Sequence, residues 1–234
     1  MKISFGDSQA FIRSIQWVFG LTILLLLVFR QVASTQSIQA GGIALPDLTI
    51  DADRLAASID FKTQSFRPTD CALSAEDRCV AASGKRTLLR FDVAIPNIGD
   101  ADFFLGDPVN NPLFVFSPCH HHYHLDGFAS YQLLDANQSV VLTGRKQAFC
   151  LEDFAPYSSS AGRAQYTCTY QGISVGWQDV YGKYLDCQWL DVTGVADGNY
   201  FLRVEVNVKH NPQESKYDNN VAVVLLRIGK PRPR

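Results

Sequence analysis

Four of the chain's five histidines fall within five consecutive positions of the run Cys119-His120-His121-His122-Tyr123-His124. Imidazole is the commonest protein ligand for transition metals, and side chains on an extended strand alternate between its faces. The spacing predicts that His120, His122 and His124 share one face, with His121 and Tyr123 on the other. Three imidazoles on one face hold one transition metal and leave coordination positions open for chemistry. So dense a cluster would also fit a purification tag or a metal-scavenging tract. Its setting argues for a built site. The run is internal, follows the apolar Leu113-Phe114-Val115-Phe116 and precedes Leu125-Asp126-Gly127-Phe128.

The elements that must position this run read as strands. Tyr200, Leu202, Val204, Val206 and Val208 alternate with Arg203, Glu205 and Asn207, and Val221 to Ile228 is the expected partner after an Asn219-Asn220 turn. Tyr131 to Leu134 and Val140 to Leu142 form the arms of a second hairpin across Asp135-Ala136-Asn137-Gln138-Ser139. That turn carries an N-x-S sequon at Asn137, where a glycan or a plain polar turn is equally accommodated. Leu45 to Ile50 is β-like, Arg86 to Ile95 alternates less cleanly, and Asn97-Ile98-Gly99-Asp100 marks a turn. Residues 62–84 read as loop, and 152–180 as a long irregular segment of the kind kept for function or stapled in place. Beyond the N-terminus no segment has a helical period, and no internal repeat is present. The expected fold is mainly β: a single β-sandwich-like domain with long disulfide-tied loops and little helix.

At 234 residues, 47% hydrophobic and 19% charged, the chain can bury one sizeable core and is not a disordered polymer. A formal net charge of −2 offers no basic footprint for nucleic acid. Trp17 to Phe29 is an apolar run flanked by Lys2, Arg13 and Arg30. Thirteen residues fall short of the ~20 that span a bilayer and match the apolar core of an export signal. Residues 1–34 are expected to be a signal peptide or an N-terminal membrane anchor, with cleavage sites near 34 or 40, and residues 35–44 a linker. Losing 1–34 removes three cations and one anion, taking the net charge from −2 to −4. The product is expected to be secreted or periplasmic, touching membrane only through an uncleaved N-terminus. Six cysteines (71, 79, 119, 150, 168 and 187) with no C-x-x-C pair fit a disulfide-bonded exported protein, and spacing alone allows 15 pairings.

Several spaced motifs occur in a telling order. The histidine run is followed by Gly144-Arg145-Lys146-Gln147-Ala148-Phe149-Cys150-Leu151-Glu152-Asp153, then Asp179-Val180-Tyr181-Gly182, then Asp186-Cys187-Gln188-Trp189-Leu190-Asp191. Asp197-Gly198-Asn199-Tyr200 and Glu214-Ser215-Lys216-Tyr217-Asp218-Asn219-Asn220-Val221 complete the series. This order resembles the catalytic domain of the lysyl oxidase family, from about residue 113 to 228 and more loosely back to 45, which places a catalytic domain at 45–230.

The resemblance implies that His120, His122 and His124 are copper ligands; His121 stands where animal members have glutamine. It also implies that Lys146 and Tyr181 join as lysine tyrosylquinone, a cofactor made from the protein's own side chains. On residue type alone Lys146 is a solvated lysine and Tyr181 a half-buried aromatic. The implied activity is that of a copper-dependent amine oxidase, which converts peptidyl lysine or another primary amine to an aldehyde. Dioxygen is the co-substrate, and hydrogen peroxide and ammonia are released. A carboxylate must remove the substrate's α-proton. Asp179, two residues before Tyr181, is the expected base, and Asp126 the second choice. The resemblance further implies the pairs Cys71–Cys119, Cys79–Cys187 and Cys150–Cys168. Two other cysteines of animal members, at places corresponding to residues 154–160 and to Trp177, are absent here together.

The chain departs from the animal pattern in lacking tryptophans and a histidine just before Cys119, and in being one residue shorter after His124. It resembles a compact microbial-type member, so collagen or elastin does not carry over as substrate. Two other readings need only the histidines. One is a mononuclear zinc hydrolase, which would survive loss of Lys146 and Tyr181. The other is a copper-binding protein without turnover.

Overall fold

The alternating apolar pattern at the C-terminal end builds the central sheet of the computed structural model, which describes residues 43–75, 77–144 and 150–229. Strand β13 (Gly198–Val206) lies between β14 (Val221–Ile228) and β7 (Ala129–Leu134), and β8 (Val140–Thr143) pairs with the far side of β7. All three pairings are antiparallel. Register sets Leu202 beside Val224 and Leu133, and Val204 beside Ala222 and Tyr131, so one face of the sheet is continuously buried. The expected β7–β8 hairpin is present. Its turn closes on Asp135, whose Oδ1 accepts the amides of Asn137 and Ser139, and Asn137 itself is exposed.

The other sheets are small. Strand β1 (Asp60–Phe66) pairs along its length with β2 (Gly84–Arg90), which also carries β12 (Trp189–Asp191). Strand β3 (Val93–Pro96) pairs with β11 (Trp177–Tyr181), which takes the short β9 (Ala155–Pro156) on its other side. Strand β4 (Phe103–Gly106) pairs with β10 (Gln171–Ile173), and β5 (Phe114–Ser117) with β6 (His122–Leu125). The mainly-β character expected from the sequence is observed. One large core, including Leu89, Phe91, Val93, Phe103, Tyr131 and Leu202, joins these sheets.

Four local differences have physical causes. Residues 62–66 are strand rather than loop, because β1 is a polar edge strand that shows water both faces until Phe66. Arg86 to Ile95 is two strands in two sheets, and all of Val93–Pro96 is buried, which explains its weak alternation. A seven-residue helix, α1 (Ala52–Ser58), starts where the Asp51 side chain accepts the Arg54 amide; it is too short to show a period. Val208 is exposed because the chain leaves β13 at Asn207, whose φ is +46°. Fourteen residues, not a tight turn, then return the chain to β14. They are tied down by buried Glu214, which accepts from the Leu48 amide and from Asn207 and Asn220.

The three disulfides are Cys71–Cys119, Cys79–Cys187 and Cys150–Cys168, the pairs implied by the family resemblance. Trp177 of β11 is the register partner of Pro156 of β9. The Cys79–Cys187 bridge spans 108 residues and sits in a second core with Phe66, Leu88 and Trp189. Replacing both cysteines by alanine is expected to cost roughly 2–5 kcal/mol and lower Tm by roughly 5–15 °C. Differential scanning calorimetry of the double variant checks this; an unchanged Tm would mean that the core holds this region without the bridge. No helix among the described residues is long and apolar enough to cross a membrane. The signal or anchor expected at 1–34, most of the 35–44 linker and Lys146 lie outside the described residues.

Candidate active site

The histidine run bends where the alternation rule predicts a straight strand. β5 and β6 form a hairpin whose turn, Pro118 to His121, includes His120, and His121 adopts φ +58°. The turn is closed by the His121 amide on the Ser117 carbonyl at 2.8 Å and by the His120 amide on Ser117 Oγ. Only His122 and His124 therefore share a strand face. Tyr123 projects to the other side, edge-on to Phe116. The turn nevertheless returns His120 to its neighbours: the three ring centroids lie 4.7–6.0 Å apart. His122 Nε2 and His124 Nε2 are 2.8 Å apart, while His120 Nε2 lies 3.0 Å from Asp77 Oδ2.

That geometry can be tested against a metal. Two nitrogens about 2.0–2.1 Å from one ion, at a right angle, stand about 2.9 Å apart; a tetrahedral angle would spread them to about 3.3 Å. The observed 2.8 Å is the length of a ring-to-ring hydrogen bond and is close enough for His122 and His124 to share one ion. The donor set fits.

These rings line a cavity of about 240 Å³ together with Tyr181, Asp179, Glu152 and Tyr131. Asp179 and Tyr181 reach it because they alternate on one face of β11, opposite Ile95 and Val93 of β3. Tyr181 donates its hydroxyl to the carbonyl of Cys150. Burial, then the Asp179 carboxylate, holds the phenol well above its usual pKa. Asp179 is 2% exposed; its Oδ1 accepts the Val180 amide at 2.7 Å, and among the described residues no hydrogen-bond partner meets its Oδ2 within ordinary geometry. Burial, and next the charge of Glu152, pushes its carboxyl well above 3.8. Glu152 is half-buried, and burial raises its pKa too.

Asp126 sits elsewhere. It is exposed in the turn after β6 and lines a different cavity, where its carbonyl accepts from Lys209 Nζ. Lys146 lies outside the described residues, between Gly144 and Cys150. The Gly144 amide donates to the Tyr131 carbonyl at 2.7 Å, and the Cys150 carbonyl takes the Tyr181 hydroxyl. Sequence reasoning quoted Glu152 within a motif but gave it no role, and it missed Asp77, which is 43 positions from His120. The implied Cys71–Cys119 bridge was the one available signal for Asp77, since it brings that loop to the histidine run.

A family model described as lysyl oxidase matches residues 46–230. The chain belongs to the lysyl oxidase family. Among relatives, human protein-lysine 6-oxidase is 40% identical over 194 residues, covering 78% of this chain and 46% of the human protein. The pig protein of that name is 39% identical over 194 residues, covering 78% of this chain and 76% of its own length. Lysyl oxidase homolog 2 of Xenopus tropicalis is 39% identical over 165 residues, covering 69% of this chain and 21% of its own length. The chain thus spans less than half of the human relative that it matches. The segment matched by the lysyl oxidase model takes in every described side chain of the cavity.

Proposed function

We propose that the protein is an exported, copper-dependent amine oxidase whose substrates are lysine side chains or other primary amines. The observation that carries this reading is one cavity in which three imidazoles, Tyr181 and two buried-to-half-buried carboxylates meet, in a chain of the lysyl oxidase family. His120, His122 and His124 would hold the copper, and Lys146 with Tyr181 would provide lysine tyrosylquinone. Together the copper and the quinone would supply an electrophilic carbonyl and an electron sink for the two-electron oxidation of a primary amine by dioxygen.

The remaining work falls to the protein's own side chains. The substrate amine, protonated at neutral pH, is drawn to a cavity whose described ionisable lining, apart from histidines and tyrosines, is all carboxylate: Glu152, Asp179 and Asp186. It must lose a proton before it can react as a nucleophile, and Glu152 is the half-buried group able to receive it. Asp179 is assigned the α-proton. No described residue bonds its Oδ2, and its burial makes it a stronger base than an exposed aspartate. Tyr184, 70% exposed at the mouth, leaves room for the bulk of a peptide outside while a slender alkylamine enters.

Amine-dependent peroxide release tests the reading. Protein matured aerobically with copper should produce peroxide and ammonia in equal amounts with a small primary alkylamine or a lysine peptide, and none after copper removal before maturation. Hydrolase activity with bound zinc and no peroxide would favour the metal-only alternative instead. Glu152→Gln carries a sharper expectation. Glu152 is the charge that adds to the raised pKa of Asp179, so its neutralisation lowers that pKa and moves the acid limb of kcat against pH to lower pH. An unmoved limb would detach Glu152 from Asp179.

A further inference from the structure

Asp77 belongs to no recognisable motif, yet it is 2% exposed and directs Oδ2 to His120 Nε2 at 3.0 Å. Its position is doubly fixed. The segment from Cys71 to Cys79 is bonded at one end to Cys119, the residue before His120, and at the other to Cys187 in the cavity wall. Between these anchors the Asp77 amide donates to Ser74 Oγ at 3.0 Å, and the Arg78 amide to the Ser74 carbonyl. Burying a carboxylate is unfavourable unless it is hydrogen-bonded or paired. Here two disulfides hold one against an imidazole of the proposed metal centre. Cys187 Sγ is the other ligand-type atom grouped with this pair, and it is committed to its disulfide.

The chemistry of the contact is directional. With Asp77 Oδ2 as the acceptor of this contact, His120 Nε2 would be the donor and its lone pair would lie on Nδ1. A ligating histidine typically gives its other ring N–H to a carboxylate or carbonyl, which fixes the tautomer and raises the basicity of the ring. We propose that Asp77 is a positioning residue of the metal centre. It holds His120 in the Nε2–H tautomer, so that His120 binds copper through Nδ1, whereas His122 and His124, which face each other through Nε2, bind through that atom. This inference rests on the copper reading above. It also explains why His120 can leave the strand and still serve: the carboxylate, rather than β-sheet alternation, orients its ring.

Copper affinity, rather than turnover, tests it. Full chains of wild type, Asp77→Ala and Asp77→Asn, prepared without metal, are titrated with Cu(II) against a chelator of known affinity, and the electron paramagnetic resonance spectrum of each loaded protein is recorded. Asp77→Ala is expected to lose roughly 10–100-fold in affinity and to change the nitrogen hyperfine pattern. Asp77→Asn keeps an acceptor for Nε2–H but loses the charge, and is expected to fall between the two. A non-reducing peptide map showing Cys71–Cys119 and Cys79–Cys187 separates this loss from misfolding. Unchanged affinity and spectrum in an Asp77→Ala protein with both bridges would overturn the proposal. If the alanine variant fails to form the bridges, the asparagine variant decides, and wild-type affinity there overturns it equally. Wild-type protein that binds no copper would instead overturn the copper reading, and this inference with it.

Discussion

Tyr181→Phe is expected to reduce amine oxidation to background while leaving copper binding and the fold intact. In the proposed function the quinone ring would be built on Tyr181, and phenylalanine offers no phenol to oxidise. The structural cost is small. Tyr181 is the last residue of β11, its ring remains packed against the core in the variant, and the hydrogen bond to the Cys150 carbonyl is lost. One such bond contributes about 0.5–1.5 kcal/mol. The three histidines lie on the β5–β6 hairpin, which does not depend on that bond. The measurement is peroxide release and copper content on the same preparation. Full copper with no activity is the expected pair. Retained activity would mean that the site works as a bare metal centre, as in the hydrolase reading.

Asp179→Asn is expected to lower kcat roughly 10²–10⁴-fold, the usual contribution of a positioned general base. It should also abolish the acid limb of the pH–rate profile, because only ionised Asp179 can accept the α-proton and its pKa is held high by burial and by Glu152. The same substitution has an opposite effect on stability. In the unfolded chain the carboxyl ionises near 3.8, whereas in the folded protein it keeps its proton to a well higher pH. Across that window the folded state binds more protons than the unfolded one, so stability falls as pH rises through it. Asparagine does not titrate. The variant should therefore gain stability relative to wild type as pH rises above about 4, a trade of stability for function. Urea melts at pH 5 and pH 8 measure the difference, and a gap that shrinks with rising pH would contradict the assignment. Unchanged turnover and pH profile would remove Asp179 as base.

The sequence makes the central sheet legible because β13, β14 and β7 are each buried on one face, so their periods survive in the residues. It hides β3 and β1 for opposite reasons: one is buried on both faces, and the other is polar nearly throughout. The short β9 and β10, with two and three residues, carry too few positions to show any period, and the buried Asp153 carboxylate anchors the loop between them. At the site, local spacing identifies the histidines but misjudges how they converge. His120 reaches the others through a turn closed on Ser117 and through Asp77, which is distant in sequence. Asp179 and Tyr181 are legible as an i, i+2 pair on one strand. That Glu152 joins them depends on the Cys150–Cys168 loop and on packing, which no local pattern encodes.

The most direct measurement of the central claim is peptide mass spectrometry on protein matured aerobically with copper. The account predicts a cross-linked species containing the peptides of Lys146 and Tyr181, absent when copper is withheld and absent in Tyr181→Phe. Both side chains recovered unmodified from protein with copper bound and oxygen supplied would contradict it.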